Sequence, residues 1–167
     1  MDWAEVVAQW LHIFAGTFWF GGVLFTNFVM IPAIMRLPRD RQPEIIESVA
    51  GQAARLMPLM AGATIILGIV RGTALGDIRT VDDLSTNYGI EWIVGLVAAA
   101  LTFAWGEWVL NPAAQRVTAG AASGGSGGGP SGDIEAATDR VKMLALLELV
   151  GFFVIFTTMI LMHFAGE

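Results

Sequence analysis

The chain contains no cysteine, which excludes disulfides, thiolate metal sites, iron–sulfur clusters, covalent c-type haem attachment and cysteine nucleophiles. Any metal it holds must rely on histidine, methionine or carboxylate. Histidine occurs twice and tyrosine once among 167 residues. Charge is scarce as well: 14% of residues are charged, and nine Lys and Arg against fifteen Asp and Glu give a net charge of −6. The basic residues lie in short connections rather than in one patch, so nucleic acid is not an expected partner. A basic n-region is also missing. The opening MDWAEVVAQW is acidic and the apolar run behind it is too long for a signal h-region, so the first helix is expected to be retained.

What the chain does have is apolar side chain. At 55% hydrophobic residues and a mean hydropathy of +0.65, it carries more than one soluble core could hide, and the expected solvent is lipid, a bilayer. No charge interrupts Val6 to Met35, longer than the ~20 residues a membrane span needs. Further runs predict transmembrane helices over about 6–34, 55–73, 89–110 and 141–164. These runs are continuous, without the alternation of a barrel strand, so the fold class is all-α, a single four-helix transmembrane domain over residues 1–167. The first helix is expected to stop near Ile31-Pro32 and the third at Asn111-Pro112. Trp92, Trp105 and Trp108 stand near the ends of the third, where aromatic belts sit. Between the first two spans, the chain breaks at its prolines and then reads as a helix with Ile45, Ile46, Val49 and Ala53 on one side, extending the second helix beyond the membrane. Residues 119–132 are a flexible Gly/Ser-rich loop, with Asp133 as the cap of the helix that follows. No internal repeat is evident.

Arginine and lysine set the expected orientation. Arg36, Arg39, Arg41 and Arg55 flank the first connection and Arg116, Arg140 and Lys142 the third, against Arg71 and Arg79 in the second. The positive-inside rule then puts the first and third connections in the cytoplasm of a bacterial inner (plasma) membrane. The topology is up-down-up-down, with both termini on the outer, periplasmic side.

The two histidines, His12 early in the first helix and His163 late in the fourth, therefore share the outer half of the bilayer. His12 lies about 9 Å inside Val6 and His163 about 3 Å inside Ala165, at 1.5 Å per residue. Two neutral imidazoles facing across a helical bundle suit a b-type haem, a cofactor that needs no cysteine, and Ala15 and Gly16 beside His12 leave room for a flat ring. Arg71, at the outer end of the second helix, is placed to meet a haem propionate or to pair with Glu91 or lipid phosphate. A second chemistry shares the place. Met159, Met162 and His163 stand at i, i+3 and i+4, one face of the fourth helix, and such soft ligands suit Cu(I). Met57 and Met60, three apart on the second helix, would mark the far end of a copper path, although methionine also fills gaps in packed helices. Glu107 and Glu148, inside the cytoplasmic boundary, must face the bundle, be protonated, or pair with an arginine such as Arg55. Thr26 and Asn27 point to a polar interior, and small residues such as Gly95 and Ala99 serve helix packing.

Leu11-His12 followed by Trp19-Phe20-Gly21-Gly22, in a short four-helix chain, resembles the copper-resistance protein D (CopD) superfamily. Arg55, the run Leu67-Gly68-Ile69-Val70 and the pair Leu147-Glu148 add to the likeness, which spans all four helices but is motif-like only in the first. The resemblance implies an inner-membrane protein, associated with copper uptake in the name-giving branch. It extends to the four-helix HemJ type of protoporphyrinogen oxidase, which binds haem b and carries a histidine early in its first helix; His12 is the position that matches. Gly95 stands where that type is expected to have a lysine, and the Pro-Arg after the first helix is displaced. Those departures weigh against protoporphyrinogen oxidation and leave haem binding open.

The leading expectation is a haem b protein that transfers electrons near the outer face to a membrane or periplasmic redox partner, with cofactor ligands His12 and His163 and with Arg71 beside them. Copper handling through Met159, Met162 and His163 is the second reading. The third is a non-catalytic accessory subunit of a larger membrane complex. Whether the chain is an enzyme is left open.

Overall fold

A computed structural model describes residues 2–34, 36–38, 41–123 and 131–165. Four long helices dominate it: α1 (Trp3–Ile34), α2 (Gln42–Gly72), α3 (residues 87–123) and α4 (Ser131–Ala165). Each is long and apolar enough to cross a membrane, over Trp3–Ile34, Glu44–Gly72, Asn87–Val117 and Ala136–Phe164, the mark of an integral membrane protein. Their starts are set by side chains that satisfy free backbone N–H groups. The Asp2 carboxylate accepts from the Ala4 N–H at 2.9 Å, and the Thr86 hydroxyl accepts from the Gly89 N–H at 3.1 Å.

Two helices run past the prolines expected to end them. In α1 the chain widens into a π-turn over Thr26–Met30 before continuing as Ile31–Ile34. In α3 the same happens over Gly106–Leu110 before Asn111–Ser123. Proline lacks the N–H a helix needs and its ring clashes with the carbonyl four residues back. The wide turn shifts the register just ahead of it: Ile31 N–H bonds to Thr26 O and Asn111 N–H to Gly106 O, each five residues back, immediately before Pro32 and Pro112. The helix therefore absorbs the proline instead of stopping. α2 starts at Gln42, so the helical extension ahead of residue 55 read from the sequence is present, and it keeps Ile45, Ile46, Val49 and Ala53 half-buried while Glu44, Glu47 and Ser48 are exposed. α4 starts at Ser131, so Asp133 lies inside its first turn rather than ahead of it as a cap. Half of the Gly/Ser-rich loop expected over 119–132, residues 124–130, lies outside the described residues, and the remainder continues α3 to Ser123 and starts α4 at Ser131.

The matched π-turns expose a likeness that the linear sequence hides. Phe28 to Arg36 reads FVMIPAIMR and Trp108 to Arg116, eighty residues on, reads WVLNPAAQR, sharing Val, Pro, Ala and Arg at equivalent places. The packing repeats too. α1 runs antiparallel to α2, with Gly16 against Thr64 and Gly22 against Met57; α3 runs antiparallel to α4, with Gly95 against Thr158 and Gly106 against Glu148. In both pairs a glycine of the odd helix receives a threonine of the even one.

Large apolar side chains such as Phe28, Leu101 and Phe153 face outward, while Ala61, Ala99, Ala145, Thr64, Thr102 and Thr158 are buried. Lipid gives no hydrophobic reason to bury bulk, so small residues that let backbones approach line the interface. Gly95 and Ala99 are accordingly buried contacts, not exposed positions. The aromatic exception is central: Trp19 meets Phe152 edge-on at 4.8 Å and Phe103 at 6.4 Å, and Phe20 meets Phe156 at 4.8 Å.

The connection from α2 to α3 is tied down by its own hydrogen bonds. Ile78 N–H reaches Gly72 O at 3.1 Å, Ile78 is buried, and a 3₁₀ turn spans Asp82–Ser85. The Asp83 carboxylate accepts from Arg79 N–H, Thr80 N–H and the Thr80 hydroxyl. These bonds, the two backbone ones first, hold its carboxyl below the usual carboxylate pKa. A lowered pKa favours the fold above the ordinary carboxylate range and loses that contribution as the pH falls through the folded value. Acidification and Asp83→Ala are both expected to loosen residues 79–86, read as faster backbone amide exchange there with the helices unchanged.

Candidate functional site

Where the four helices meet beside the α2–α3 connection, they enclose a cavity of about 800 Å³, in the ~300–1,000 Å³ range of small-molecule and cofactor sites. α1 contributes His12 and Gly16, α2 Thr64, Gly68 and Arg71, α3 Tyr88, Trp92 and Gly95, and α4 Phe152, Phe156, Met159, Met162 and His163. The five residues singled out from the sequence, His12, Arg71, Met159, Met162 and His163, all line this one space.

His12 is the most tightly placed of them. Its Nδ1 lies 2.9 Å from the backbone carbonyl of Thr64. A carbonyl can only accept, so Nδ1 carries the proton and Nε2 keeps its lone pair. Nε2 has no hydrogen-bond partner among the described residues. The ring rests on Gly68, where a Cβ would lie 3.1 Å from its Cε1. The Thr64 carbonyl is itself fixed by close packing, with Gly16 facing the threonine side chain and the Thr64 hydroxyl donating to Met60 O at 2.7 Å.

Among the described residues, Arg71 is the one Arg, Lys, Asp or Glu of the cavity wall. Its Nη1 makes a long 3.5 Å contact with Leu75 O, and its Nε is buried with no partner. Among the described residues no ion pair joins it to Glu91. It also borders a smaller cavity of about 340 Å³ with Glu5, Gln9 and Trp10. A guanidinium with unspent donors and no ion-pair partner among the described residues is suited to an anionic group. His163 is exposed at the rim, edge-on to Phe164 at 5.4 Å, whereas Met159 is half-buried against the Trp19 and Phe152 core. Met57 packs at Gly22 instead, away from this group. Among the described residues no three His, Asp or Glu side chains gather as a metal-binding group.

Several wall residues escape sequence reasoning. Trp92, read as an interfacial belt residue, turns inward, its indole N–H donating to Gly68 O at 3.2 Å. Trp105 does the same to Leu144 O at 3.1 Å. The usable signal was Gly68 and Gly72, four apart on α2: such small-residue pairs mark close helix contacts, and here they receive the rings of His12 and Trp92. Compared with protein-family models, curated proteins and solved structures, the chain matches none.

Proposed function

We propose that the chain is a haem b-binding protein of the bacterial inner membrane that passes electrons near the outer face to a membrane or periplasmic partner. In this reading it crosses the bilayer four times, up-down-up-down, with both termini outside. The observation that carries the reading is His12: a half-buried imidazole with Nδ1 committed to the Thr64 carbonyl, at the wall of an aromatic-lined cavity of about 800 Å³. Locking the tautomer and ring orientation through the second nitrogen is how metal-ligating histidines are positioned. The residues present fit the group. His12 Nε2 is free to ligate, His163 offers a second imidazole from the opposite helix, Trp92 and Phe152 wall the space, and the unspent Nε of Arg71 suits a propionate. Haem bound there supplies reversible one-electron chemistry. The largely apolar wall would limit the water around such a group, and Arg71 would offset its anionic side chains.

Copper handling is the second reading, favoured by one observation: Met159, Met162 and His163 line the same cavity from adjacent turns of α4. An accessory role in a larger membrane complex, the histidines merely structural, is the third. The visible spectrum of the purified protein, oxidised and then dithionite-reduced, separates the three. The haem reading expects a Soret band with sharp reduced α and β bands. A colourless preparation from haem-sufficient cells overturns it. Copper by elemental analysis that falls on replacing Met159 and Met162 supports the second, and a stable co-purifying partner with neither cofactor supports the third.

A further inference from the structure

Away from the cavity wall, α4 buries a carboxyl. Glu148 lies inside the apolar stretch Ala136–Phe164, six residues or about 9 Å past Lys142 at the rise of a helix, and is 6% exposed. The chain makes deliberate room for it. Its Oε1 sits 2.8 Å from where a Cβ of Gly106 would be, so the bare backbone of the α3 π-turn is what accommodates the carboxyl group. Glu107, the next residue, is half-buried and near enough for its charge to act on Glu148.

No compensating partner is present. Among the described residues, no hydrogen bond or ion pair holds either carboxyl group. The indole N–H of Trp105, the residue before Gly106, is spent on the Leu144 carbonyl, and Lys142 is paired with Asp139 at the surface. Among the described residues, Glu107 is the charged neighbour that bears on Glu148, and it has the same sign. An ionised carboxylate in this setting loses its hydration and gains repulsion; binding a proton removes both penalties. A divalent cation would need more oxygens than one buried carboxyl and a half-buried neighbour supply.

We propose that Glu148 is a proton-binding site within the membrane-spanning part of α4, and that Glu107 exchanges its proton with the aqueous side. The assignment does not depend on any cofactor. π-turns recur at functional sites in helices, and this one presents its glycine to the buried acid and its glutamate beside it.

Infrared spectroscopy of the full chain in lipid nanodiscs at neutral pH tests the assignment. The carbonyl stretch of a neutral carboxylic acid, shifted by D₂O and by carbon-13 labelling of glutamate, is expected in the wild type. It is lost in Glu148→Gln, which preserves the shape and neutrality of the protonated group. Glu107→Gln is expected to retain the band and slow its hydrogen–deuterium exchange. Absence of a glutamate-labelled band in the folded wild type overturns the proposal without any variant. So does a band that persists in Glu148→Gln, or one abolished by sodium or calcium at constant pH.

Discussion

With haem b held as proposed, replacing His12 by alanine is expected to strip the haem bands from the purified protein while leaving it folded. Removing an outer-shell partner of a metal-bound histidine costs ~10–100-fold in metal affinity, and removing the ligand itself should exceed that. The fold should survive because His12 contributes one side-chain hydrogen bond, to Thr64 O, and α1 stays anchored to α2 through Gly16 and Gly22. Two controls distinguish positioning from bulk. Thr64→Val keeps the carbonyl that fixes Nδ1 and the methyl packed at Gly16, losing only the hydroxyl bond to Met60 O, so most of the binding should persist. Gly68→Leu pushes side chain into the face on which the imidazole rests, 3.1 Å from its Cε1 at the first added atom, and should reduce haem retention strongly with His12 still present. Equal haem content in wild type and His12→Ala would remove His12 from the site.

Gly89→Ala is expected to be the most damaging single methyl. No described glycine adopts a positive φ, so conformational freedom is not the issue; space is. A Cβ at Gly89 would lie 2.2 Å from Asp83 O and 2.6 Å from the Leu84 Cα, backbone atoms of the 3₁₀ turn that seats the start of α3. Neither can step aside without breaking the Thr86 cap and the Asp83 hydrogen bonds. Overpacking of this kind costs ~1–3 kcal/mol. Gly22→Ala should cost little by comparison, because it meets only the flexible thioether end of Met57, and Gly62→Ala meets nothing within 4 Å. Thermal unfolding in detergent should rank Gly89→Ala well below both, and equal midpoints for Gly89→Ala and Gly62→Ala would contradict the steric account.

The membrane-crossing helices were legible because burial in lipid acts on composition: a run such as Val6 to Met35 has no alternative use. The helix ends were not. A proline is locally a stop signal, and whether a π-turn ahead of it absorbs the missing donor depends on the chain around it; the apolar run to Ile34 already reached past Pro32, but the continuation past Pro112 left no mark in hydropathy. The candidate site was half legible. His12, Arg71, Met159, Met162 and His163 stood out because polar or soft groups in an apolar helix are rare, and they line one cavity. Their supports did not stand out. The Thr64 carbonyl is a backbone atom fifty-two residues from His12, and the inward turn of Trp92 depends on Gly68 and Gly72, whose spacing alone pointed to some helix contact but not to which ring fills it. The doubling of the α1–α2 pair in α3–α4 was missed because it survives in only four shared residues over nine.

The paired π-turns also have a mechanical meaning. Sharp changes in helix direction are found at π-turns, and α1 and α3 each carry one. His12 stands fourteen residues before Thr26 and Trp92 fourteen before Gly106, equal lever arms of about 21 Å. A bend of about 5° at either pivot swings its tip by about 2 Å, enough to widen or narrow the space between imidazole and indole. The two rings that α2 receives, at Gly68 and Gly72, thus stand at matching distances from matching widened turns.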